Sequence, residues 1–179
     1  MLLRQTDGSL KLINAEPRHM EETIDKLKEC GCNIEIEEDQ IYLKAPEKLC
    51  HVDIETEPYP GFPTDMQSIF VATLIRSEGT SCMTENIFEN RYKYVPELRK
   101  MGVNIEQEDR KIRITGEKGI KATNLKAMDL RGGAALVIAA LQAEGITEIS
   151  NIEYILRGYE NLDKKLQKLG AKIKVEEGE

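Results

Sequence analysis

Apolar residues recur at helical spacing in three separate stretches of the chain, and each stretch ends at a glycine. Apolar positions three or four residues apart predict a helix with one buried face, and a glycine directly after it provides the left-handed turn that commonly ends a helix. The three sets, each followed by its closing glycine, are Met20, Ile24, Leu27 and Gly31; Val95, Leu98, Met101 and Gly102; and Leu162, Leu166, Leu169 and Gly170. The same structural pattern therefore occurs three times.

A short stretch of alternating apolar and polar residues follows each of these helices. Alternation with a period of two predicts a strand that buries one face. Residues 33–36 pair with 41–43 in one predicted hairpin, residues 103–105 pair with 112–114 in a second, and residues 172–175 begin a third. The acidic residues between the paired stretches fit hairpin turns.

A second helix pattern completes the first two units. The two apolar faces consist of Met66, Ile69, Phe70, Thr73 and Leu74 in one unit and of Ala135, Leu136, Ala139 and Ala140 in the next. The turn glycines Gly8, Gly79 and Gly145 lie 71 and 66 residues apart. Such units bury their apolar faces against their copies. We therefore expect an α/β (α+β) fold in one domain, residues 1–179, with units at about 7–77, 78–143 and 144–179, the third incomplete.

Charge and hydropathy limit the kinds of molecule that the chain can be expected to bind. The chain has 25 Lys and Arg against 32 Asp and Glu, a formal net charge of -7, whereas sequence-independent binding to nucleic acid needs an excess of cations. No apolar run is long enough to cross a membrane, and residues 1–6 read as the stub of a helix rather than as a signal peptide. We expect a cytoplasmic protein with neither nucleic acid nor a membrane as its partner.

The cysteine and histidine residues do not predict a metal site. The four cysteines follow no zinc-ligand spacing, and the two histidines are isolated from one another. In a reducing compartment we expect free thiols rather than disulfides. No metal and no cofactor are therefore predicted. The four cysteines are Cys30, Cys32, Cys50 and Cys82.

The residues at the start of the helix near Asp65 have two possible interpretations. Thr64 and Gln67 fit the spacing of a capping box, and Pro60 and Pro63 would hold the preceding segment rigid. A carboxylate at Asp65 suits the positive end of the helix dipole by roughly 0.3–1 kcal/mol. Capping explains these residues without a function, and catalysis by Asp65 is the alternative.

The first turn of the corresponding helix in the second unit contains residues that are unfavourable at a helix start. Asp129 can cap it, but Arg131 puts a cation at the positive end of the dipole, and Gly132 and Gly133 each weaken the first turn by about 1 kcal/mol. An anion bound at this helix start would explain all three, because backbone N–H groups and a guanidinium would face it while the glycines let it approach. An exposed arginine on a loosely wound helix is the alternative.

Three arginines occupy comparable positions before the closing glycines. Arg18, Arg91 and Arg157 precede those glycines by 13, 11 and 13 residues. The repeat could bring them to one rim, where they would suit a small ligand with several negative groups. A surface salt bridge is the alternative for each, and for Arg18 we favour it.

Four segments stand out in the loops: residues 60–67 (PGFPTDMQ), 84–91 (TENIFENR), 129–134 (DLRGGA) and 157–160 (RGYE). Together they resemble the C-terminal part of UDP-N-acetylglucosamine 1-carboxyvinyltransferases, a family of enolpyruvyl transferases. The resemblance implies an inverse α/β barrel domain built from pseudo-threefold βαβαββ units, in an enzyme with two such domains and an active site between them. This chain would then be a C-terminal portion.

The resemblance also implies substrates and two contacts with the acceptor. In that family the enolpyruvyl group of phosphoenolpyruvate is added to the 3-hydroxyl of UDP-N-acetylglucosamine, and phosphate is then eliminated. Asp65 matches the carboxylate that contacts and deprotonates the sugar hydroxyl. Ile87 matches a sugar-nucleotide contact.

Further matches concern phosphoenolpyruvate. Arg91, Arg131 and Arg157 match arginines around its phosphate and carboxylate, and Asp129 matches a residue that assists proton movements near the departing phosphate. The family's cysteine loop, which acts as general acid, belongs to the other domain, and none of the four cysteines here matches it. The resemblance therefore implies half of an active site, in a chain that is inactive or nearly so alone.

Two other functions stay open from the sequence. The related shikimate-pathway enolpyruvyl transferase has the same architecture and shares one substrate, although the segments around Asp65 and Arg91 argue against it. A non-catalytic remnant that binds a sugar nucleotide or a protein is the second alternative.

Overall fold

The computed structural model describes residues 8–117 and 119–176, so the helix stub expected at residues 1–6 lies outside the described residues. The strands are β1 (Ser9–Leu12), β2 (Asn33–Glu37), β3 (Gln40–Lys44), β4 (Ile54–Glu55), β5 (Thr80–Thr84), β6 (Asn104–Glu108), β7 (Lys111–Thr115), β8 (Asn124–Lys126) and β9 (Glu148–Ser150). The helices are α1 (Glu21–Glu29), α2 (Thr64–Leu74), α3 (Val95–Lys100), α4 (Leu130–Ala140), α5 (Glu153–Leu156) and α6 (Leu162–Lys168).

The sheets repeat one pattern along the chain. Among the described residues the strand orders are β1-β3-β2, β4-β5-β7-β6 and β8-β9. The antiparallel arrangement of β1, β3 and β2 recurs in β5, β7 and β6. The last strand of one unit joins the first strand of the next in parallel, as β4 joins β5 and β8 joins β9. Each unit is thus tied to its neighbour through a sheet.

The two long apolar helices α2 and α4 lie inside the molecule and pack against each other. Val71, Leu74, Ala135 and Leu136 are completely buried in their shared core. In the four-stranded sheet, β5 and β7 alternate between buried and more exposed side chains, so this sheet packs one face on the core and turns the other toward solvent. Two enclosed helices with sheets packed around them agree with the α/β domain that the family resemblance implied, and the expected fold class is confirmed.

The helix-closing glycines and both complete hairpins are confirmed, but the third strand is not. Gly31, Gly102 and Gly170 have φ values of +92°, +86° and +90°, which favour glycine over any residue with a Cβ. Residues 172–175 form no strand in the described part of the chain. A strand needs a ladder partner, and no described residue pairs with this segment as β3 pairs with β2.

The cysteines and the lengths of the helices can be read directly from the structure. All four cysteines are free, as expected, and burial raises the pKa of the Cys30 thiol to about 12. Within residues 8–117 and 119–176, none of the helices has the length and apolar composition needed to cross a bilayer.

Candidate active site

Asp65 lies in the first turn of α2, but the capping box predicted for this helix is wrong. The N-cap residue is Pro63, in an extended conformation, and no side chain caps the helix. The Thr64 hydroxyl instead donates a 2.9 Å hydrogen bond to Glu85 Oε2. Gln67 is completely buried, and its Oε1 accepts a 3.2 Å hydrogen bond from the Tyr94 hydroxyl. Contacts with distant segments have replaced the local cap.

The Asp65 carboxylate joins two arginines from different parts of the chain. Arg91 Nη2 donates to Asp65 Oδ1 at 2.8 Å, and Arg131 Nη2 donates to Asp65 Oδ2 at 2.5 Å. The two arginine side chains are 21% and 27% exposed, whereas that of Asp65 is 54% exposed. The cluster therefore lies at the surface and its carboxylate faces solvent.

Neighbouring side chains fix the position of Arg91. Its guanidinium carbon lies 4.6 Å from the centroid of the Phe88 ring, within the range of a cation–π contact. Its Nε donates a 3.2 Å hydrogen bond to Thr64 Oγ1. Because Thr64 adjoins Asp65, the same helix start binds Arg91 at two points.

Arg131 reaches the cluster from the first turn of α4. Ser68, one turn along α2, donates a hydrogen bond of 2.9 Å to the Arg131 carbonyl oxygen. This bond joins the two inner helices at their amino-terminal ends. The start of α2, which no side chain caps, adds the partial positive charge of its unpaired N–H groups beside Asp65.

The electrostatics of the cluster agree with its geometry. The hydrogen bond from Arg131, with the charges of Arg131 and Arg91, lowers the pKa of Asp65 against a smaller opposing effect of burial. The same hydrogen bond and the charge of Asp65 raise the pKa of Arg131. Two positive charges on one carboxylate leave the cluster with a net positive charge, which suits an anionic ligand.

Asp129 caps α4, as the sequence suggested. Its Oδ1 accepts a 2.7 Å hydrogen bond from the Gly132 backbone N–H. The two glycines differ from expectation, since both are buried. A Cβ at Gly133 would lie 2.7 Å from Ile155 Cγ1, and one at Gly132 would lie 3.1 Å from Tyr94 Cβ. Close packing against neighbouring elements explains these glycines without an approaching anion.

Among the described residues, neither Arg157 nor Ile87 forms an ion pair or hydrogen bond with the Asp65 carboxylate. Arg157 is exposed at the end of α5, with its guanidinium carbon 5.6 Å from the centroid of the Tyr154 ring. Ile87 is half-buried, and its backbone N–H donates to Glu85 Oε1 at 2.9 Å. The ion pairs of the described residues join Asp65 to Arg91 and Arg131 and do not include Arg157.

The first arginine of the series takes no part in the cluster. Arg18 Nε pairs with Glu16 Oε1 at 2.9 Å on the exposed surface, as we favoured. No group of three His, Cys, Asp or Glu side chains in the described residues is arranged to hold a metal ion.

Sequence reasoning gave no role to two residues of this region. Tyr159 is half-buried beside Arg131; burial raises the pKa of its phenol, and the nearby charge of Arg131 opposes that rise. Glu85 is completely buried beneath the loop that leads to Arg91. Both residues lie within segments that the sequence analysis had singled out, residues 157–160 and 84–91. Membership of these segments was the one sequence feature that could have marked them as candidates.

Fold and site together define a repeat domain of α/β type that presents an arginine–aspartate cluster suited to anions. The family model described as EPSP synthase (3-phosphoshikimate 1-carboxyvinyltransferase) matches residues 5–166. The chain therefore belongs to this enolpyruvyl transferase family.

Relatives with curated names narrow the comparison. The chain is 49% identical over 168 residues to a UDP-N-acetylglucosamine 1-carboxyvinyltransferase of Desulfofundulus thermocisternus, covering 94% of this chain and 69% of that relative. It is 46% identical over 168 residues to UDP-N-acetylglucosamine 1-carboxyvinyltransferase 2 of Geobacillus kaustophilus, covering 94% of this chain and 39% of that relative. The chain thus spans less than half the length of the second relative.

Solved structures support the same fold. The enolpyruvyl transferase NikO from Streptomyces tendae matches with a TM-score of 0.84 and 27% identity, covering 94% of this chain and 40% of that one. An EPSP synthase from Acinetobacter baumannii matches with a TM-score of 0.60 and 18% identity, covering 79% of this chain and 34% of that one. At that identity the second comparison concerns the fold alone.

Proposed function

We propose that this chain forms one wall of an active site that transfers the enolpyruvyl group of phosphoenolpyruvate to the 3-hydroxyl of UDP-N-acetylglucosamine and releases phosphate. This reaction is the first committed step of peptidoglycan synthesis and would take place in the cytoplasm. The observation that carries the proposal is the cluster of Asp65, Arg91 and Arg131. The names of the relatives support the choice of acceptor.

The two arginines bind the anionic donor. Phosphoenolpyruvate carries a phosphate and a carboxylate, and guanidinium groups pair with both through parallel N–H donors. In the structure the Asp65 carboxylate is paired with donors of Arg91 and Arg131. Binding of the donor substrate then frees Asp65 from its ion pairs, and its pKa rises from the lowered value.

Asp65 acts as the general base in this scheme. It takes the proton of the 3-hydroxyl as the oxygen forms a bond to C2 of phosphoenolpyruvate, while C3 receives a proton from an acid outside this chain. Loss of a proton from C3 and of phosphate from C2 then restores the double bond. A base works best when its pKa approaches the working pH, so release from the arginines favours the first step.

The other matched residues have supporting roles. Arg157 extends the cationic rim toward phosphoenolpyruvate when the site closes, and Ile87 contacts the sugar nucleotide. Asp129 caps α4 beside Arg131 and assists proton movements near the departing phosphate. Each role depends on the family resemblance together with a position in the loops around α2 and α4.

The complementary wall would come from an N-terminal domain that carries the family's cysteine loop. A site with only one wall lacks the preorganised groups that the other wall would supply to stabilise the transition state. Each such group contributes roughly 10²–10³-fold to the rate. We expect the chain alone to release no phosphate from the two substrates, and we expect release to begin when a separately produced N-terminal half of a relative is added. Robust turnover by the chain alone would refute the half-site proposal.

The description of the family model favours a test of the shikimate-type acceptor as well. Direct binding of UDP-N-acetylglucosamine and of shikimate 3-phosphate to the reconstituted protein separates the two functions. We expect saturable binding of the nucleotide sugar only. Preferential binding of shikimate 3-phosphate would favour the shikimate-pathway function. Binding of neither compound would favour a non-catalytic role.

A further inference from the structure

Glu85 is a completely buried carboxylate at the end of β5. A buried charge is costly unless hydrogen bonds compensate it. Both of its oxygens accept such bonds. The donors are the Thr56 hydroxyl at 3.0 Å, the Thr64 hydroxyl at 2.9 Å, the Ile87 N–H at 2.9 Å and the Phe88 N–H at 3.0 Å.

These donors come from three segments that meet beneath the candidate site. Thr56 follows β4, Thr64 begins α2 directly before Asp65, and Ile87 and Phe88 form the loop that leads to Arg91. One side chain thus holds a strand end, a helix start and a loop together.

A continuous chain of hydrogen bonds runs from Glu85 to the cluster. The Thr64 hydroxyl donates to Glu85 Oε2, and the same oxygen of Thr64 accepts a 3.2 Å hydrogen bond from Arg91 Nε. Because the Thr64 proton points to Glu85, a lone pair of its oxygen is available to Arg91. Glu85 therefore sets the orientation of the hydroxyl that orients the guanidinium.

We propose that Glu85 is a positioning residue: through Thr64 it holds the Arg91 guanidinium in the position from which it binds an anion, and it thereby sets the affinity of the site. The inference deepens the proposed function and rests on it for the identity of the anion. The positioning itself does not depend on that identity, because it concerns contacts within this chain.

A carboxylate is needed here because every partner is a donor. Glutamine has the same shape but only one acceptor oxygen, and its NH₂ group donates. In one orientation the NH₂ would face the donors of Ile87 and Phe88, and in the other it would face the hydroxyl proton of Thr64. We therefore expect Glu85→Gln to disturb one side of the network in either orientation.

Glu97 provides a matched control. It is also a buried carboxylate that accepts a backbone hydrogen bond, from the Lys126 N–H at 2.9 Å, but its other partner is Lys100 and not a residue of the cluster. Glu97→Gln should lower the melting temperature without changing the site. A role of Glu85 in stability alone would make the two variants alike.

The test measures the pKa of the Asp65 carboxyl by carbon NMR and the binding of phosphoenolpyruvate by titration, in the full chain. Asp65 faces Arg91, Arg131 and Tyr159, and these charged or titratable neighbours are unchanged in the variants. For Glu85→Gln we expect a raised pKa of Asp65 and at least about tenfold weaker binding, because a misplaced guanidinium forms weaker charge-assisted hydrogen bonds with the anion. For Glu97→Gln we expect neither change.

A second pair of variants covers a failure of Glu85→Gln to fold. Thr64→Val removes the hydroxyl between Glu85 and Arg91 and should reproduce both effects, whereas Thr64→Ser restores the hydroxyl and should rescue them. Wild-type pKa and affinity in both Glu85→Gln and Thr64→Val would overturn the positioning role. A raised Asp65 pKa in a protein that never binds phosphoenolpyruvate would support the positioning role and count against the proposed function.

Discussion

Arg131 donates a 2.5 Å hydrogen bond to Asp65, although the two residues are 66 positions apart in the chain. Each lies in the first turn of an inner helix, and the two helices pack side by side. The repeat therefore places the same part of two successive units together, once with a carboxylate and once with a guanidinium. The cluster of Asp65, Arg91 and Arg131 therefore results from the contact between units rather than from either unit alone.

The first prediction concerns the stability of the protein at low pH. Arg131 and Arg91 lower the pKa of Asp65 in the folded state, so the ion pairs stabilise the fold above the unfolded aspartate value of about 3.9. This contribution is lost as the pH falls through the lower, folded-state pKa. Because the cluster is exposed, we expect only about 1 kcal/mol.

Urea unfolding at a series of pH values checks this prediction. Between about pH 6 and about pH 2, wild type should lose more free energy of unfolding than Asp65→Asn does, by roughly the stated amount. Identical pH dependence in the two proteins would show that the ion pairs do not form in solution.

The second prediction separates binding from catalysis. Asp65→Asn removes the charge that competes for Arg91 and Arg131, so the affinity of the chain for inorganic phosphate should rise severalfold. In an enzyme reconstituted with an N-terminal half, the same change removes the proposed general base and should lower the rate by about 10²-fold or more. Calorimetry and a phosphate-release assay provide the two measurements. A fall in both quantities would mean that Asp65 holds the arginines in place for the anion instead.

The third prediction concerns the cap of α4. Asp129→Ala should lower the free energy of unfolding by about 0.5–2 kcal/mol, because it leaves the Gly132 N–H without its acceptor. Asp129→Asn keeps an oxygen in the same position and should stay close to wild type in stability. Loss of activity in a reconstituted Asp129→Asn enzyme of normal stability would then report a role in proton movement. Equal stability of the Ala variant and wild type would exclude the cap in solution.

The fourth prediction concerns the tight contact at Gly133. A Cβ there would lie 2.7 Å from Ile155 Cγ1 and 3.2 Å from Ala127 Cβ, so Gly133→Ala should destabilise the protein by about 1–3 kcal/mol through overpacking. At Gly119 an added Cβ would meet no heavy atom of the described residues within 4 Å, which makes Gly119→Ala the control. Thermal unfolding of both variants gives the comparison. A Gly133→Ala protein as stable as the control would show that α5 can move away from α4 at no cost.

Local signals in the sequence predicted the parts of the fold that depend on local physics. The closing glycines Gly31, Gly102 and Gly170 adopt positive φ because a helix ending of this type needs a residue without a Cβ. Asp129 caps its helix because its acceptor lies next to the unpaired N–H groups. Neither outcome requires knowledge of the rest of the molecule.

Distant contacts decided the places where the sequence misled. Thr64 bonds to Glu85, 21 residues away, and Gln67 bonds to Tyr94, 27 residues away, so neither side chain caps the helix. A capping box is worth about 1 kcal/mol, and a buried carboxylate that needs donors outweighs it. The segment at residues 172–175 followed the same rule, because alternation alone does not provide a ladder partner.

The residues of the candidate site were predicted only in part from the sequence. The repeat and the family resemblance singled out Asp65, Arg91 and Arg131, and the structure brings them into contact. They gave Arg157 a place on the same rim, whereas the structure has it exposed and stacked on Tyr154. The reach of a long exposed side chain depends on what binds there, which no pattern in the sequence records.

Nitrogen NMR of the arginine side chains during titration with phosphoenolpyruvate tests the anion site most directly. Arg99 serves as an internal reference, because its Nε–H is bound to the Ile105 carbonyl oxygen at 2.9 Å and not to the cluster. We expect the Nε–H signals of Arg91 and Arg131 to shift along one saturable curve while that of Arg99 stays in place. Equal small shifts of all three arginines, or none, would mean that phosphoenolpyruvate does not bind at Asp65.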